Sequence, residues 1–197
     1  MAIRKISIWP DPVLKEVATP VERFDDALKT LVEDMFDTMY EAHGVGLAGN
    51  QVAVPKRVLV IDLDPGGGDD PSWRESLTEW GFKAPTAFIN PEIVKADGDI
   101  VWEEGCLSVP GVNESVKRKE HVVVRAQDVE GRSFDTEAWG LFAVALQHEM
   151  DHLDGKVFVE YLSKLKRDVI KRRMGRIKHQ HTEDGVEAAQ ALAAGGL

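Results

Sequence analysis

Two histidines and a glutamate come close together in the stretch Gln147-His148-Glu149-Met150-Asp151-His152. An α-helix places residues four apart on one face, one turn above the other, so His148 and His152 could reach the same metal ion. Glu149 would lie beside them as a base. The spacing therefore predicts a hydrolytic metal site on a helix, with histidines that only cap or pack a helix as the alternative.

The residues before this motif give the same helical face an apolar character. Leu141, Val144 and Ala145 precede His148 at helical spacing, so a helix would align them with the first histidine. An apolar wall next to a metal suits a hydrolase that binds a hydrophobic side chain. We therefore expect a side-chain pocket beside the metal.

A catalytic site of this kind needs a third protein ligand and an open position. Cys106, the single cysteine of the chain, follows a predicted strand and is the natural candidate. A buried packing cysteine is the commoner fate of a lone cysteine and remains the alternative. A single cysteine also excludes an internal disulfide and fits a reducing compartment.

Composition and charge limit the class of protein. The chain has 197 residues, of which 43% are hydrophobic and 29% charged, as in a soluble globular protein of one domain. With no membrane-length apolar run and no signal-type N-terminus, we expect a cytoplasmic protein without membrane contact. The net charge of -10 argues against DNA binding, although residues 163–182 hold eight Lys or Arg against one Asp.

The first half of the chain alternates between strong and weak structural signals. Apolar spacing predicts a helix from Asp25 to Ala42 and a strand from Arg57 to Asp62. Between them, the glycine-rich stretch Gly44 to Gln51 is either a simple chain reversal or a place where backbone approaches a ligand. Asp64 to Pro85 is expected to be a surface excursion, with at most a loose turn around Trp73 to Trp80.

The second half predicts an α+β fold, with antiparallel or mixed sheets packed around the central metal-binding helix and a C-terminal helix. Asp97-Gly98 is a hairpin signal. Short strands are expected at Thr86 to Ile89, Glu92 to Lys95, Ile100 to Trp102, His121 to Gln127 and Arg132 to Thr136.

The C-terminal part combines a basic helix with a tail of small residues. The helix is expected over Glu160 to Gln180, with an apolar stripe of Leu162, Leu165, Val169 and Ile170 beneath its basic face. We expect a single catalytic domain over residues 1–182 and a disordered tail over residues 183–197.

Three motifs together point to a known family. The patterns Gly-x-Gly-x-Ala-x-x-Gln at Gly44 to Gln51, Glu-Gly-Cys-Leu-Ser at Glu104 to Ser108 and Gln-His-Glu-x-Asp-His at Gln147 to His152 closely resemble the peptide deformylase family. The resemblance covers the chain from Ile3 to about His179. It implies an α+β fold and removal of the N-formyl group from the formylmethionine of newly synthesised proteins.

The resemblance also implies roles for particular residues. Cys106, His148 and His152 would hold one divalent metal ion, with Fe(II) as the physiological ion and Zn or Ni as alternatives. Metal-bound water would attack the formyl carbon, with Glu149 as the general base. The Gln51 side chain and the Leu107 backbone N–H would stabilise the oxyanion.

Substrate contacts follow from the same resemblance. The N-formylmethionyl peptide would lie extended along the backbone, and the methionine side chain would enter an apolar pocket. Glu104, Asp151 and Arg118 would orient the ligands. The residues implied in substrate binding are Val45, Gly46, Gly105, Trp102, Leu141, Val144 and Ala145.

Two positions depart from the family pattern. Gly49 stands where alanine is more common, and Asn113 stands where many members have an arginine that meets the peptide. Their effect on activity is not fixed by the sequence. Neither change touches a ligand or the base.

Two other functions compete with this interpretation. A zinc peptidase would need a downstream third ligand, and only His179 and His181 are offered in a polar, basic helix end. A ribosome-associated deformylase-like protein without catalytic activity is the other alternative. The basic helix 163–182 suggests a ribosome contact, with a solvated helix face as the ordinary explanation.

Overall fold

The structure is a computed structural model that describes residues 2–67 and 70–184. The predicted tail lies outside these residues except for Glu183 and Asp184, which end the last helix. None of the described helices is both long enough and apolar enough to cross a membrane.

Four helices and seven strands make up the described fold. The helices are α1 (Asp26–Glu41), α2 (Pro71–Glu79), α3 (Gly140–Leu153) and α4 (Lys164–Asp184). The strands are β1 (Gly46–Ala48), β2 (Val58–Ile61), β3 (Thr86–Asp97), β4 (Ile100–Glu104), β5 (Glu114–Arg118), β6 (His121–Gln127) and β7 (Ser133–Trp139). Short 3-10 helices lie at Pro12–Lys15, Gly49–Val52 and Phe158–Tyr161.

These strands form two antiparallel sheets. One has five strands in the order β1-β2-β3-β6-β7, and the other pairs β4 with β5. The predicted α+β class with a central metal-binding helix is therefore confirmed.

The five-stranded sheet lies between α1 and α3, and β2 shows why. All four residues of β2 are buried. Leu59 and Ile61 belong to the apolar cluster that includes α3, whereas Val58 and Val60 belong to the cluster of α1. Successive strand residues point to opposite faces, so a strand covered on both sides is apolar throughout.

The hairpin predicted at Asp97-Gly98 is wrong. β3 and β4 flank this turn but enter different sheets, because Asp97 pairs with His121 of β6 while Ile100 pairs with Arg118 of β5. The two strands predicted on either side of Asn90-Pro91 are one strand, β3, with a shift of register there. Proline lacks the N–H that a regular ladder needs, which accounts for the shift.

The interpretation of residues 64–85 as a surface excursion is also wrong in part. The segment contains α2, capped by the Asp70 side chain with Pro71 in its first turn. Leu77 and Phe82 are buried in the cluster that includes α3. The glycine-rich stretch likewise contains more than a reversal, because Gly46–Ala48 forms the edge strand β1.

The apolar stripe of the C-terminal helix is formed in part by other residues than those predicted. Leu165 and Val169 are 74% and 56% exposed, whereas Ile170, Met174 and Ile177 are buried. These three recur at helical spacing and pack with Trp9 and Val109 in a third apolar cluster.

Residues before the first 3-10 helix form an N-terminal arm outside both sheets. Arg4 N–H donates to the Thr38 hydroxyl of α1 at 2.9 Å. Further along, Ser7 N–H donates to the Gln51 carbonyl at 2.7 Å and Trp9 N–H donates to the Ser108 carbonyl at 2.9 Å. The arm therefore ties together two loops that both reach the site described next.

Candidate active site

Three side chains that can ligate a metal converge between α3 and the loop after β4. One ligand atom each from Cys106, His148 and His152 lies within 4.8 Å of the others. Both histidines are buried, and Sγ of Cys106 lies 3.3 Å from Nε2 of His152. A thiolate and two imidazoles at this separation suit a tetrahedral ion with one position left for a small ligand.

The orientation of His148 is set by Glu104, the last residue of β4. Nδ1 of His148 lies 2.8 Å from Oε2 of Glu104, so Nδ1 carries the proton and Nε2 is left for the metal. Burial acts to raise the pKa of Glu104, but hydrogen bonds from Arg118 and His148 outweigh it and keep the pKa below its ordinary value. Glu104 is therefore an anion that holds the ring in place.

Arg118 carries this hydrogen-bond chain towards the surface. Its guanidinium donates to both oxygens of Glu104, at 2.6 and 3.0 Å, and to Asp151 at 2.5 Å. The Tyr161 hydroxyl donates to Asp151, and its ring lies 4.8 Å from the guanidinium. Asp151 therefore contacts Arg118 and not the ligands themselves.

His152 is held differently. It is fully buried, and its Nδ1 has no hydrogen-bond partner among the described residues. Burial and the nearby charge of His148 lower the pKa of His152 well below its usual range. The ring is therefore neutral, which is the state that ligates a metal.

Glu149 lies beside the ligands in a site closed by β1. Burial raises the pKa of Glu149 to about 7, and its Oε2 has no partner among the described residues. A Cβ built on Gly46 would lie 2.5 Å from Oε1 of Glu149. The carboxylate thus fills the space left by the missing side chain of Gly46, and one oxygen stays available for a proton.

The Gln51 side chain has a defined orientation. Ala48 N–H donates to its Oε1 at 2.7 Å, so the NH₂ group must point the other way. That group lies 3.2 Å from the Ser108 hydroxyl and 3.6 Å from Sγ of Cys106. Gln51 therefore presents N–H donors next to the metal ligands.

The residues expected to contact peptide backbone lie along β1 and after β4. β1 is an edge strand of the sheet, and Val45 just before it is 39% exposed. Gly105 is exposed, and a Cβ there would lie 2.7 Å from Oδ1 of Asn113. The amide of Asn113 thus occupies the place beside Gly105 where a longer side chain could reach outwards.

Gly49 allows close packing of its loop against neighbouring backbone. A Cβ at this position would lie 2.5 and 2.8 Å from the carbonyl oxygens of Val54 and Lys56. The glycine lets the turn before Gln51 pack directly against this backbone, which would have to shift to accept alanine.

Apart from Val45, the apolar residues expected in the side-chain pocket lie on α3 and β4. Val144 is buried, whereas Leu141 and Trp102 are partly exposed. Ala145 is 7% exposed and packs into the cluster behind α3. Leu141 and Trp102 are thus the two of these residues with exposed surface to offer a ligand.

Sequence reasoning missed three residues at the site. Ser108 contacts the Gln51 amide, Tyr161 contacts Asp151, and Phe158 stacks on His148 at 5.9 Å between ring centroids. Ser108 lies inside one of the quoted motifs and could have been found there. Nothing in the local pattern around the other two marks them.

A thiol-imidazole-imidazole triad with both imidazoles buried, a buried carboxylate and a fixed amide donor define a metal-dependent hydrolase. Residues 3–168 match the family model described as polypeptide deformylase. The chain belongs to the peptide deformylase family, whose substrates are formylated nascent peptides.

Curated relatives and solved structures agree with this assignment. The peptide deformylase of Alkalilimnicola ehrlichii is 48% identical over 180 residues, covering 91% of this chain and 93% of that protein. The peptide deformylase of Hahella chejuensis is 50% identical over 175 residues, covering 88% of this chain and 95% of that protein. The crystal structure of a peptide deformylase from Legionella pneumophila matches with a TM-score of 0.81 and 44% identity. The match covers 93% of this chain and 99% of that one.

A second structure is that of peptide deformylase from Ehrlichia chaffeensis in complex with actinonin. Its TM-score is 0.78 and its identity 34%, and the match covers 94% of this chain and all of that one. The zinc-peptidase alternative loses its basis, because Cys106 completes the ligand set without any downstream residue.

Proposed function

We propose that this chain hydrolyses the formyl amide of N-formylmethionyl peptides through the residues that surround the Cys106, His148 and His152 triad. The observation that carries the proposal is the position of Glu149, buried next to the triad with one carboxylate oxygen unpartnered among the described residues. The products would be formate and a peptide with a free N-terminal amine. We place the activity in one domain over residues 1–182.

The three ligands would hold one divalent ion, which when bound lowers the pKa of a coordinated water and polarises the formyl carbonyl. The mixed thiolate and imidazole donor set accepts Fe(II), Zn or Ni. We propose Fe(II) as the physiological ion. Metal analysis of protein purified under anaerobic conditions from its own host would test this, and a stoichiometric content of zinc alone would contradict it.

Glu149 is the proposed general base. It takes the proton of the attacking water and returns it to the nitrogen of the departing amine, so that the C–N bond breaks without releasing an anionic amine. Its raised pKa of about 7 describes the metal-free site, and a nearby cation would lower it and favour the carboxylate.

Gln51 and Leu107 are the proposed oxyanion donors. The Gln51 amide is already turned towards the site by its bond from Ala48 N–H, so it needs no reorientation when charge develops on the formyl oxygen. The Leu107 backbone N–H would provide the second donor. Its side chain packs under Gly44, within 2.7 Å of where a Cβ would lie, which fixes the loop.

The peptide is proposed to add to the free edge of β1 in an extended conformation. Val45, Gly46 and Gly105 would supply backbone hydrogen bonds, as in other strand-addition complexes. The methionine side chain would enter the pocket of Leu141, Val144, Ala145 and Trp102. Because Asn113 is shorter than an arginine, we expect weak selectivity for residues beyond the methionine.

Turnover of formyl-Met-Ala-Ser by protein loaded anaerobically with Fe(II) tests the proposal. Glu149→Gln keeps the shape of the side chain but cannot accept the proton, so activity should fall while one metal per chain is retained. An active wild type and an equally active variant would contradict the role of Glu149. No wild-type activity with one metal bound would favour a binding protein without catalysis.

A ribosome contact through helix 163–182 is a second proposal. Lys171, Arg172 and Arg173 are exposed, whereas Met174 and Ile177 on the same helix are buried in the core. Removing the helix would therefore damage the fold, so charge reversal is the better test. A cytoplasmic location follows from the proposal, since nascent chains emerge there.

Changing Lys171, Arg172 and Arg173 together to Glu should weaken co-sedimentation with ribosomes at low salt. Turnover of formyl-Met-Ala-Ser should not change, because these side chains lie on the exposed face of α4. Unchanged co-sedimentation would contradict the ribosome contact.

A further inference from the structure

Trp80, just after α2, contacts both elements that carry the metal site. Its indole lies over the first residue of α3, so that a Cβ built on Gly140 would be 2.3 Å from Nε1. The same ring meets Trp102 of β4 edge to face, with 6.3 Å between centroids and an interplanar angle of 90°. One side chain thus joins the helix of the two histidines to the strand that leads into Cys106.

The position of Trp80 is itself fixed on two sides. Trp139 N–H donates to the Trp80 carbonyl at 3.0 Å, which pins the end of α2 to the residue before α3. Trp73, in the first turn of the same helix, packs edge to face on Trp80 with 5.5 Å between ring centroids. Leu77 anchors α2 in the core beneath them. Trp80 is therefore a supported side chain and not a mobile surface group.

Trp102 lies on the face of β4 that meets α3. Trp102 and Glu104 are two residues apart and so point the same way, and Glu104 contacts His148 of α3. Because Trp80 contacts both Trp102 and Gly140, the first residue of α3, Trp102 lies beside the turns of α3 before His148. Leu141 and Val144 lie on those turns.

We propose that Trp80 is a specificity-determining positioning residue for the side-chain pocket. By holding the Trp102 ring towards the first turns of α3, it sets the width of the pocket without touching the peptide. The segment expected to be a surface excursion would thereby act in substrate selection. The proposal rests on the pocket assigned under Proposed function.

The test compares two formylated peptides that differ only in the first side chain. Formyl-Met-Ala-Ser fills the pocket, whereas formyl-Ala-Ala-Ser does not reach it. Trp80→Ala should raise KM for the methionine peptide by about fivefold, the effect expected from losing one aromatic pair, with kcat nearly unchanged. Both constants for the alanine peptide should stay as in the wild type.

A double-mutant cycle shows whether Trp80 acts through Trp102. If it does, Trp80→Ala should add little selectivity loss in a Trp102→Ala background. Additive losses would overturn the proposal. Trp80→Phe keeps an aromatic edge towards Trp102 and should retain most of the selectivity of the wild type. This variant also allows the contact to be tested if Trp80→Ala does not fold.

Leu28→Ala is the matched control, because it weakens the core on the α1 side of the sheet, in a cluster that contains neither α2 nor Trp102. It should lower thermal stability and leave selectivity unchanged. Two results would reduce Trp80 to a structural role. One is a loss of selectivity in this control as large as in Trp80→Ala, and the other is an increase in KM that is the same for both peptides in Trp80→Ala. A wild type with no preference for methionine over alanine would instead contradict the pocket assignment.

Discussion

Gly46→Ala should inactivate the enzyme by displacing its base. The added Cβ would lie 2.5 Å from Oε1 and 2.9 Å from both Cδ and Cγ of Glu149. Contact with Cγ matters most, because this atom is close to the helix backbone and cannot be cleared by rotating the carboxylate alone. The carboxylate would have to move by roughly 0.9 Å to regain ordinary contact, and a displacement near 1 Å costs about a hundredfold in rate.

The assay is kcat for formyl-Met-Ala-Ser, measured beside the metal content of the same sample. Since the three ligands lie outside this contact, Gly46→Ala should bind metal as the wild type does. Gly175→Ala is the control, because a Cβ there meets nothing within 4 Å. It should leave kcat unchanged and, by improving helix propensity, add slightly to stability. A Gly46→Ala enzyme with near wild-type kcat would refute the reasoning.

Two further perturbations test the ligand support and the N-terminal arm. Glu104→Gln should weaken metal retention about 10- to 100-fold, because the amide is a poorer acceptor for His148, and dialysis against a chelator followed by metal analysis would show this. Hydrogen bonds from Ala2 N–H and from Arg4 lower the pKa of Asp34 below 3.8. The ionised carboxylate therefore stabilises the fold at neutral pH. This contribution is lost as the pH falls through the lowered pKa. Arg4→Ala should therefore reduce the melting temperature at pH 7, and a deficit of the same size in acid, where Asp34 is protonated, would contradict this account.

The sequence predicted the site better than it predicted the sheets. His148, Glu149 and His152 lie within one helical turn or so, and local periodicity alone brings them together. Cys106 was placed by chemistry and resemblance, since no local rule relates a residue to a helix some forty positions later. β4 pairs with β5 instead of β3, and the contacts that select this pairing are not local in the sequence.

The errors on α2 and α4 share one physical cause. In both segments polar residues outnumber apolar ones, and a few large side chains carry the packing. On α4, Met174 lies between Arg173 and Gly175 and was passed over, yet it is fully buried. On α2, glycines before the helix suggested a loop, although Asp70 and Pro71 form a good helix start.

The N-terminal arm gives the site a distinct kind of fragility. Its backbone bonds to Gln51 and Ser108 reinforce the direct side-chain contact between the loop of the oxyanion donor and the loop of the thiol ligand. A local opening that releases this terminal segment would leave both sheets folded. In such an opening the enzyme would lose support for its catalytic loops before it loses its secondary structure.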